Sequence, residues 1–185
     1  MKIKTVNTVA FIILLMTALP IVMSCAVQHT IPITYIDTQK EENDASLNLA
    51  TRIRTVLNNR RIIAVLPFFN LNKKVTNLGR AVAVDLQSAL MTHAGSYTVV
   101  ERDLFGLTVE KELVFMMTGI MDKSTTVKLG RIYGANTLVV GHVYDTGDYF
   151  KVIVKVLDTG TAQILLQADS ILSRTTQRIK QDNYY

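Results

Sequence analysis

The sequence predicts one α/β domain built on a mixed five-stranded sheet, and three observations predict it. A continuous apolar run, Ile62-Ile63-Ala64-Val65-Leu66-Pro67-Phe68-Phe69, has the length and branching of a buried central strand. Apolar stripes with helical spacing precede and follow it. Two tight-turn segments, Asp145-Thr146-Gly147-Asp148 and Asp158-Thr159-Gly160-Thr161, join the last three strand-like runs into hairpins.

The elements follow in chain order. Lys2 and Lys4 precede Val9 to Leu19, an apolar stretch broken only by Thr17. It is too short to span a bilayer, which takes about 20 residues, and has the length of a signal-peptide core. Pro20 ends it, and Val22-Met23-Ser24-Cys25 follows, with the one cysteine of the chain. This segment resembles a lipobox, so residues 1–24 are expected to be a lipoprotein signal peptide and Cys25 the lipidated residue. Ala26 rather than Asp follows the cysteine, which by resemblance to Gram-negative sorting implies the outer membrane. Residues 25–42 show no sustained period and predict a flexible tether, reaching roughly 20–25 Å.

The domain is expected over residues 43–172. A helix is predicted from Asn43 to Asn58, capped by Asp44, with Leu49, Ile53, Val56 and Leu57 on one face. Pro67 marks the end of the strand in the 62–69 run, and Thr76 or Asn77 then caps a helix running to about His93, with Leu78, Val82, Leu86, Ala89 and Leu90 aligned. Tyr97 to Val100 is a short strand. Asp103 caps a helix to about Thr118, carrying Phe105, Val109, Leu113 and Met116, and Gly119 stops it. A short helix from Ser124 or Thr125 ends at Gly134, a left-handed cap. Strands then cover Thr137–Tyr144, Tyr149–Leu157 and Ala162–Leu172. In the second, Phe150, Val152, Val154 and Val156 share a face; in the third, Ile164, Leu166 and Ala168 do. Residues 173–185 read as a polar C-terminal tail. After the first helix the order is β-α-β-α-α-β-β-β: three parallel strands joined by right-handed crossovers, then antiparallel hairpins.

Composition narrows function. Hydrophobic residues are 49% and charged residues 19%, a globular composition. One cysteine and three scattered histidines, His29, His93 and His142, exclude a Cys-based zinc or iron–sulfur site within one chain. The formal charge of +5 falls to +3 once Lys2 and Lys4 leave with the signal peptide. No metal and no cofactor is expected.

The segments RIIAVLPFFNLN, LGRAVAVDLQSALMT, YTVVERDLFGLTVEKEL, TGIMDKSTTVKLGRIYGANTLVVGHVYD and VKVLDTGTAQIL, in this order and spacing, resemble the FlgO-like flagellar outer-membrane lipoprotein family. More loosely they resemble the curli-secretion lipoproteins and the penicillin-binding-protein activator lipoproteins, which share the α/β domain. The resemblance covers about residues 61–172. It implies a non-enzymatic module at the periplasmic face of the outer membrane, held by its lipid, with an envelope or flagellar protein partner. An accessory role in peptidoglycan synthesis or curli-type secretion is the alternative, and homo-oligomerisation is left open.

No residue set demands catalysis. Arg102, at a strand-to-helix junction beside Glu101 and Asp103 with Glu112 one helix away, is the candidate binding residue for an anion or partner; pairing with a carboxylate is the structural account. Asp85, Glu110 and Glu112 lie on different helices and read as solvated faces rather than an acid–base pair. Gly130 and Gly134 close a helix rather than open one, so they cap and pack rather than cradle phosphate. His142 reads as a packed strand histidine. Ser88 and His93 share a helix without a G-x-S-x-G elbow. Arg60-Arg61, Lys73-Lys74 and Arg174, Arg178, Lys180 are dispersed and lack an aromatic platform, so no nucleic-acid partner is expected. A secretion pore would need hairpins with about 9–11 residues per strand, and the loops after Phe69 and Tyr144 are too short for them.

Overall fold

The computed structural model describes residues 33–58, 60–92, 96–100 and 123–183. Helix α1 spans Ile33–Arg54, β1 Ile62–Val65, α2 Asn77–Thr92, β2 Thr98–Val99 and α3 Lys123–Tyr133. Strands β3 (Thr137–Asp145), β4 (Tyr149–Asp158) and β5 (Ile164–Ser173) follow, and α4, Thr176–Asn183, closes the chain. The sheet has five strands in the order β2-β1-β3-β4-β5. β1 pairs in parallel with β2 and β3, and β3-β4 and β4-β5 are antiparallel. The expected mixed five-stranded α/β sheet is therefore the observed one. The expected helix over 103–118 lies outside the described residues, as does the 1–24 segment.

The alternation of the strands divides the core into two layers. Ile63, Val65, Val139, Val143, Val152, Val154 and Val156 face one side and are buried under α1 and α2. There α1 contributes Leu49, Ala50 and Ile53, and α2 contributes Leu78, Val82, Leu86 and Leu90. Each Val, Leu or Ile buried there stabilises the fold by about 1.5–3 kcal/mol. On the other side Ala64, Leu66, Leu138, Val140 and Leu157 meet Leu129 and Tyr133 of α3.

Thr76 caps α2 as expected, its Oγ1 accepting the Gly79 N–H at 3.1 Å. Gly134, at φ 64°, terminates α3. Gly130 is a close-approach position, since a Cβ there would lie 2.8 Å from the Thr159 side chain.

Four expectations are corrected. The first helix begins at Ile33, ten residues before the expected Asn43, and ends at Arg54, so residues 33–42 are helical rather than tether and Asp44 lies inside the helix. The 173–185 segment is not a free tail: it holds the last residue of β5 and α4. On β5, Ile164 does not share the core face with Leu166 and Ala168. A register shift at Val156/Leu157 lets an extra residue into β5, and Ile164 is left 50% exposed. The strand expected in the 62–69 run, with Pro67 marking its end, is shorter: regular pairing of β1 ends at Val65, and Leu66 and Phe69 donate singly to the Val139 and Gly141 carbonyls.

The loops at the two positions expected to be short are residues 70–76 and 146–148. Among the described residues no helix is long and apolar enough to cross a membrane.

Candidate functional site

The first two corrections have one cause, and it is the most elaborate polar arrangement among the described residues. Arg178 of α4 is 1% exposed, although nothing in its polar helix announces burial. Its Nε donates to Glu42 at 2.9 Å, Nη1 to Glu41 at 2.7 Å and Nη2 to the Thr38 carbonyl at 2.8 Å. Nη1 also reaches the Ser173 carbonyl at 2.8 Å and Ser173 Oγ at 3.1 Å. Glu41 in turn accepts from the Ser173 N–H at 2.7 Å. One guanidinium thus ties the first turns of α1, the end of β5 and α4 together. Burial alone would raise the Glu41 carboxyl, but the bonds from Ser173 and Arg178 outweigh it and hold it below the usual value. On the other side of α4, Thr76 Oγ1 donates to Asp182 at 3.1 Å, linking it to the cap of α2. Burial pushes the Asp182 carboxyl up, against that hydrogen bond.

This clasp sits at one particular end of the sheet. β1, β2, β3 and β5 all run toward it, and Ser173 pairs with Tyr149 there. α1 runs the opposite way: Glu41 meets Ser173 at the end of β5, whereas Arg52, three turns on, donates to the Asp169 carbonyl further back. The N-terminal turns of α1 therefore lie at the clasp end.

The opposite end carries a second polar cluster. Arg61 pairs with Asp158, and this hydrogen bond, opposed by partial burial, lowers the Asp158 carboxyl. Asp158 Oδ1 also accepts from the Gly160 and Thr161 N–H groups at 2.9 Å, closing the β4–β5 turn. The Asn136 side chain mimics a strand: its Nδ2 donates to the Arg60 carbonyl at 2.7 Å, and its Oδ1 accepts the Ile62 N–H at 2.8 Å. A cleft of about 420 Å³ lies between these groups. Its polar atoms are engaged in holding the strand ends, which is architecture rather than a reaction centre.

The residues singled out in the sequence distribute as follows. Cys25, Arg102, Glu101, Asp103, Glu110, Glu112 and His93 lie outside the described residues. Asp85 faces α1 across a cavity of about 280 Å³, and burial first, then the charge of Glu42, raises its carboxyl. Ser88 lines the same cavity, and its carbonyl accepts the Thr92 hydroxyl at 2.8 Å. His142 stacks on Tyr144 with ring centroids 5.5 Å apart, and burial first, then Lys155, lowers its pKa. Of the basic residues read as dispersed, Arg61 pairs with Asp158, Arg174 with Asp145 at 2.8 Å, and Arg178 is the buried clasp. Sequence reasoning missed Arg178. The adjacent acids Glu41-Glu42 were its one signal, and they lie 137 and 136 positions away.

Comparison with known proteins narrows the class. Residues 44–148, more than half of the chain, match the family described as curli production assembly/transport component CsgG. The chain belongs to the CsgG family. The matched segment runs from the middle of α1 to the β3–β4 turn. It leaves out Thr38, Glu41 and Glu42 as well as Ser173 and Arg178, so the whole clasp lies beyond what defines the CsgG match. No curated protein matches significantly. Among solved structures the LpoB C-terminal domain from Escherichia coli superimposes with a TM-score of 0.53 at 13% identity, covering 72% of this chain and 99% of that one. The same domain from Salmonella enterica gives 0.52 at 13% identity with the same coverage. The NMR structure of E. coli LpoB gives 0.55 at 13% identity, covering 73% of this chain and 68% of that one. These three show a shared fold. CsgG membership matches one of the looser resemblances drawn from the sequence.

Proposed function

We infer that the chain is a lipid-anchored, non-catalytic docking module on the periplasmic face of a bacterial outer membrane, serving the assembly of an envelope structure. Two observations support this reading: residues 44–148 match the CsgG family, and the domain's polar clusters are spent on joining its own elements. Cys25 is the attachment point, and the partner is an envelope protein. Metabolic labelling with a radioactive fatty acid tests the anchor. The wild-type chain should incorporate label and fractionate with the outer membrane, and Cys25→Ala should do neither. Unchanged membrane association of the variant would overturn it.

For the partner, the FlgO-like segments favour the flagellum, and Arg102 is the candidate residue for contacting it. The resemblance to penicillin-binding-protein activator lipoproteins favours the second reading, an accessory of cell-wall synthesis. A deletion strain separates them. Loss of swimming with normal resistance to cell-wall inhibitors supports the flagellar role, and the reverse phenotype supports the other.

A further inference from the structure

The loop between β1 and α2 is built rather than slack. Asn70, itself buried, folds residues 70–75 on themselves: its Oδ1 accepts the Asn72 and Lys74 N–H groups at 3.0 and 3.1 Å. Its own N–H donates to the Lys74 carbonyl at 3.0 Å, and Phe69 bridges Val75. Lys73 holds a left-handed backbone, φ 61°, at the tip. What this scaffold displays is Leu71, 64% exposed and the most exposed of the large apolar side chains among the described residues, next to exposed Lys73 and Lys74. An apolar tip flanked by cations is the pattern that enters a bilayer interface: the aliphatic group passes the headgroups while the ammonium groups stay among the phosphates.

The position of the loop points to the same occupant. Phe69 pairs with His142 on β3, and its carbonyl accepts the Val143 N–H at 2.7 Å. The loop therefore projects from the end of the sheet where β3 finishes. The clasp places the first turns of α1 at that end as well, through Glu41 on Ser173 and Thr38 on Arg178. The first turns of the domain thus lie on the side that carries Leu71. Among the described residues the carboxylates at this end are engaged, Asp145 by Arg174, Glu41 and Glu42 by Arg178 and Asp182 by the Thr76 hydroxyl, and Asp148 is exposed as an opposing charge.

We propose that the Leu71-Lys73-Lys74 tip is a second membrane contact: it docks on an anionic phospholipid surface and orients the domain with this end toward the bilayer. The proposal builds on the lipid-anchor reading. One leucine and two lysines bind weakly alone, and the anchor supplies the high local concentration that makes such contact persistent.

The chain contains no tryptophan, so Leu71→Trp introduces a single reporter at the tip. The purified lipidated variant is reconstituted into phosphatidylcholine vesicles with and without phosphatidylglycerol, with bromine-labelled acyl chains as quencher. Met91→Trp is the control, since Met91 is exposed near the far end of α2. The Leu71→Trp emission should shift to the blue and be quenched, more strongly with phosphatidylglycerol, while Met91→Trp stays unquenched. Lys73→Glu in the Leu71→Trp background should reduce the anionic-lipid component several-fold. Vesicle flotation with an unquenched Leu71→Trp signal would overturn the proposal and leave the anchor intact. Failure to float would instead overturn the anchor. The same variants are then held on nickel-chelating lipid by an N-terminal histidine tag, where lack of quenching still refutes the loop contact.

Discussion

Replacing Arg178 by Met tests the clasp while keeping most of the buried aliphatic volume. The substitution removes all five of the guanidinium's hydrogen bonds, to Glu41, Glu42, Thr38 and Ser173. Deleting one partner of a buried ion pair costs about 3–5 kcal/mol, because the remaining charge keeps its desolvation penalty. Here the Glu41 and Glu42 side chains are 35% and 18% exposed, so water can reach both carboxylates. The lower bound, about 3 kcal/mol, is therefore the expected loss. For a domain of this size each kcal/mol lowers the melting temperature by about 2–4 °C, giving a fall of about 10 °C. Circular dichroism melting measures the loss, and hydrogen exchange locates it. Amides of residues 38–45 and 176–183 should lose protection before those of β3 and β4. A melting temperature within about 2 °C of wild type, with protection of α1 unchanged, would refute the assignment of Arg178 as the tie.

The remaining expectations concern single groups. Glu41 titrates below its ordinary value in the folded state, so its contribution is full above the unfolded pKa near 4.5 and is lost as pH falls through the lower folded value. Glu41→Gln should thus cost about 1–2 kcal/mol at neutral pH in urea unfolding, and the gap to wild type should close in acid; a pH-independent gap would contradict this. Asn136→Ala deletes two bonds that stand in for strand pairing, at 2.7 and 2.8 Å, and should cost about 1–3 kcal/mol by chemical denaturation. A neutral result would mean that water replaces them. Gly141→Ala would put a Cβ 2.6 Å from the Phe68 ring and should destabilise by about 1–3 kcal/mol. Adding Phe68→Leu should recover part of the loss, and failure of that rescue would assign the cost to the β3 backbone instead.

The elements that were legible in the sequence are those whose signal is local. Alternation of Phe150, Val152, Val154 and Val156 and the Asp158-Thr159-Gly160 turn predict the β4–β5 hairpin with its buried face. The stripe Leu78, Val82, Leu86, Ala89, Leu90 predicts α2; all are buried except Ala89, which is partly buried against the core. The start of α1 was not legible, because Thr38, Gln39, Lys40, Glu41 and Glu42 offer no apolar stripe. Those turns are held by a residue 137 positions downstream of Glu41. α4 escaped for the reciprocal reason: its one buried side chain is an arginine. Two polar segments that each look unstructured are each other's binding partner, and periodicity cannot register that. The exposure of Ile164 was hidden too, since a single extra residue in β5 reverses the facing of everything before it.

The early beginning of α1 has a mechanical consequence. With an acyl group on Cys25, only residues 26–32 separate the bilayer from helix α1, a span of at most roughly 25 Å even when pulled straight. If the proposed anchor holds, so short a leash would keep the domain beside the lipid, and a recruited protein would have to come to the membrane. Opening the Arg178 clasp would let the polar turns of α1 unwind and lengthen that leash, making one guanidinium the setting on how far the domain can travel.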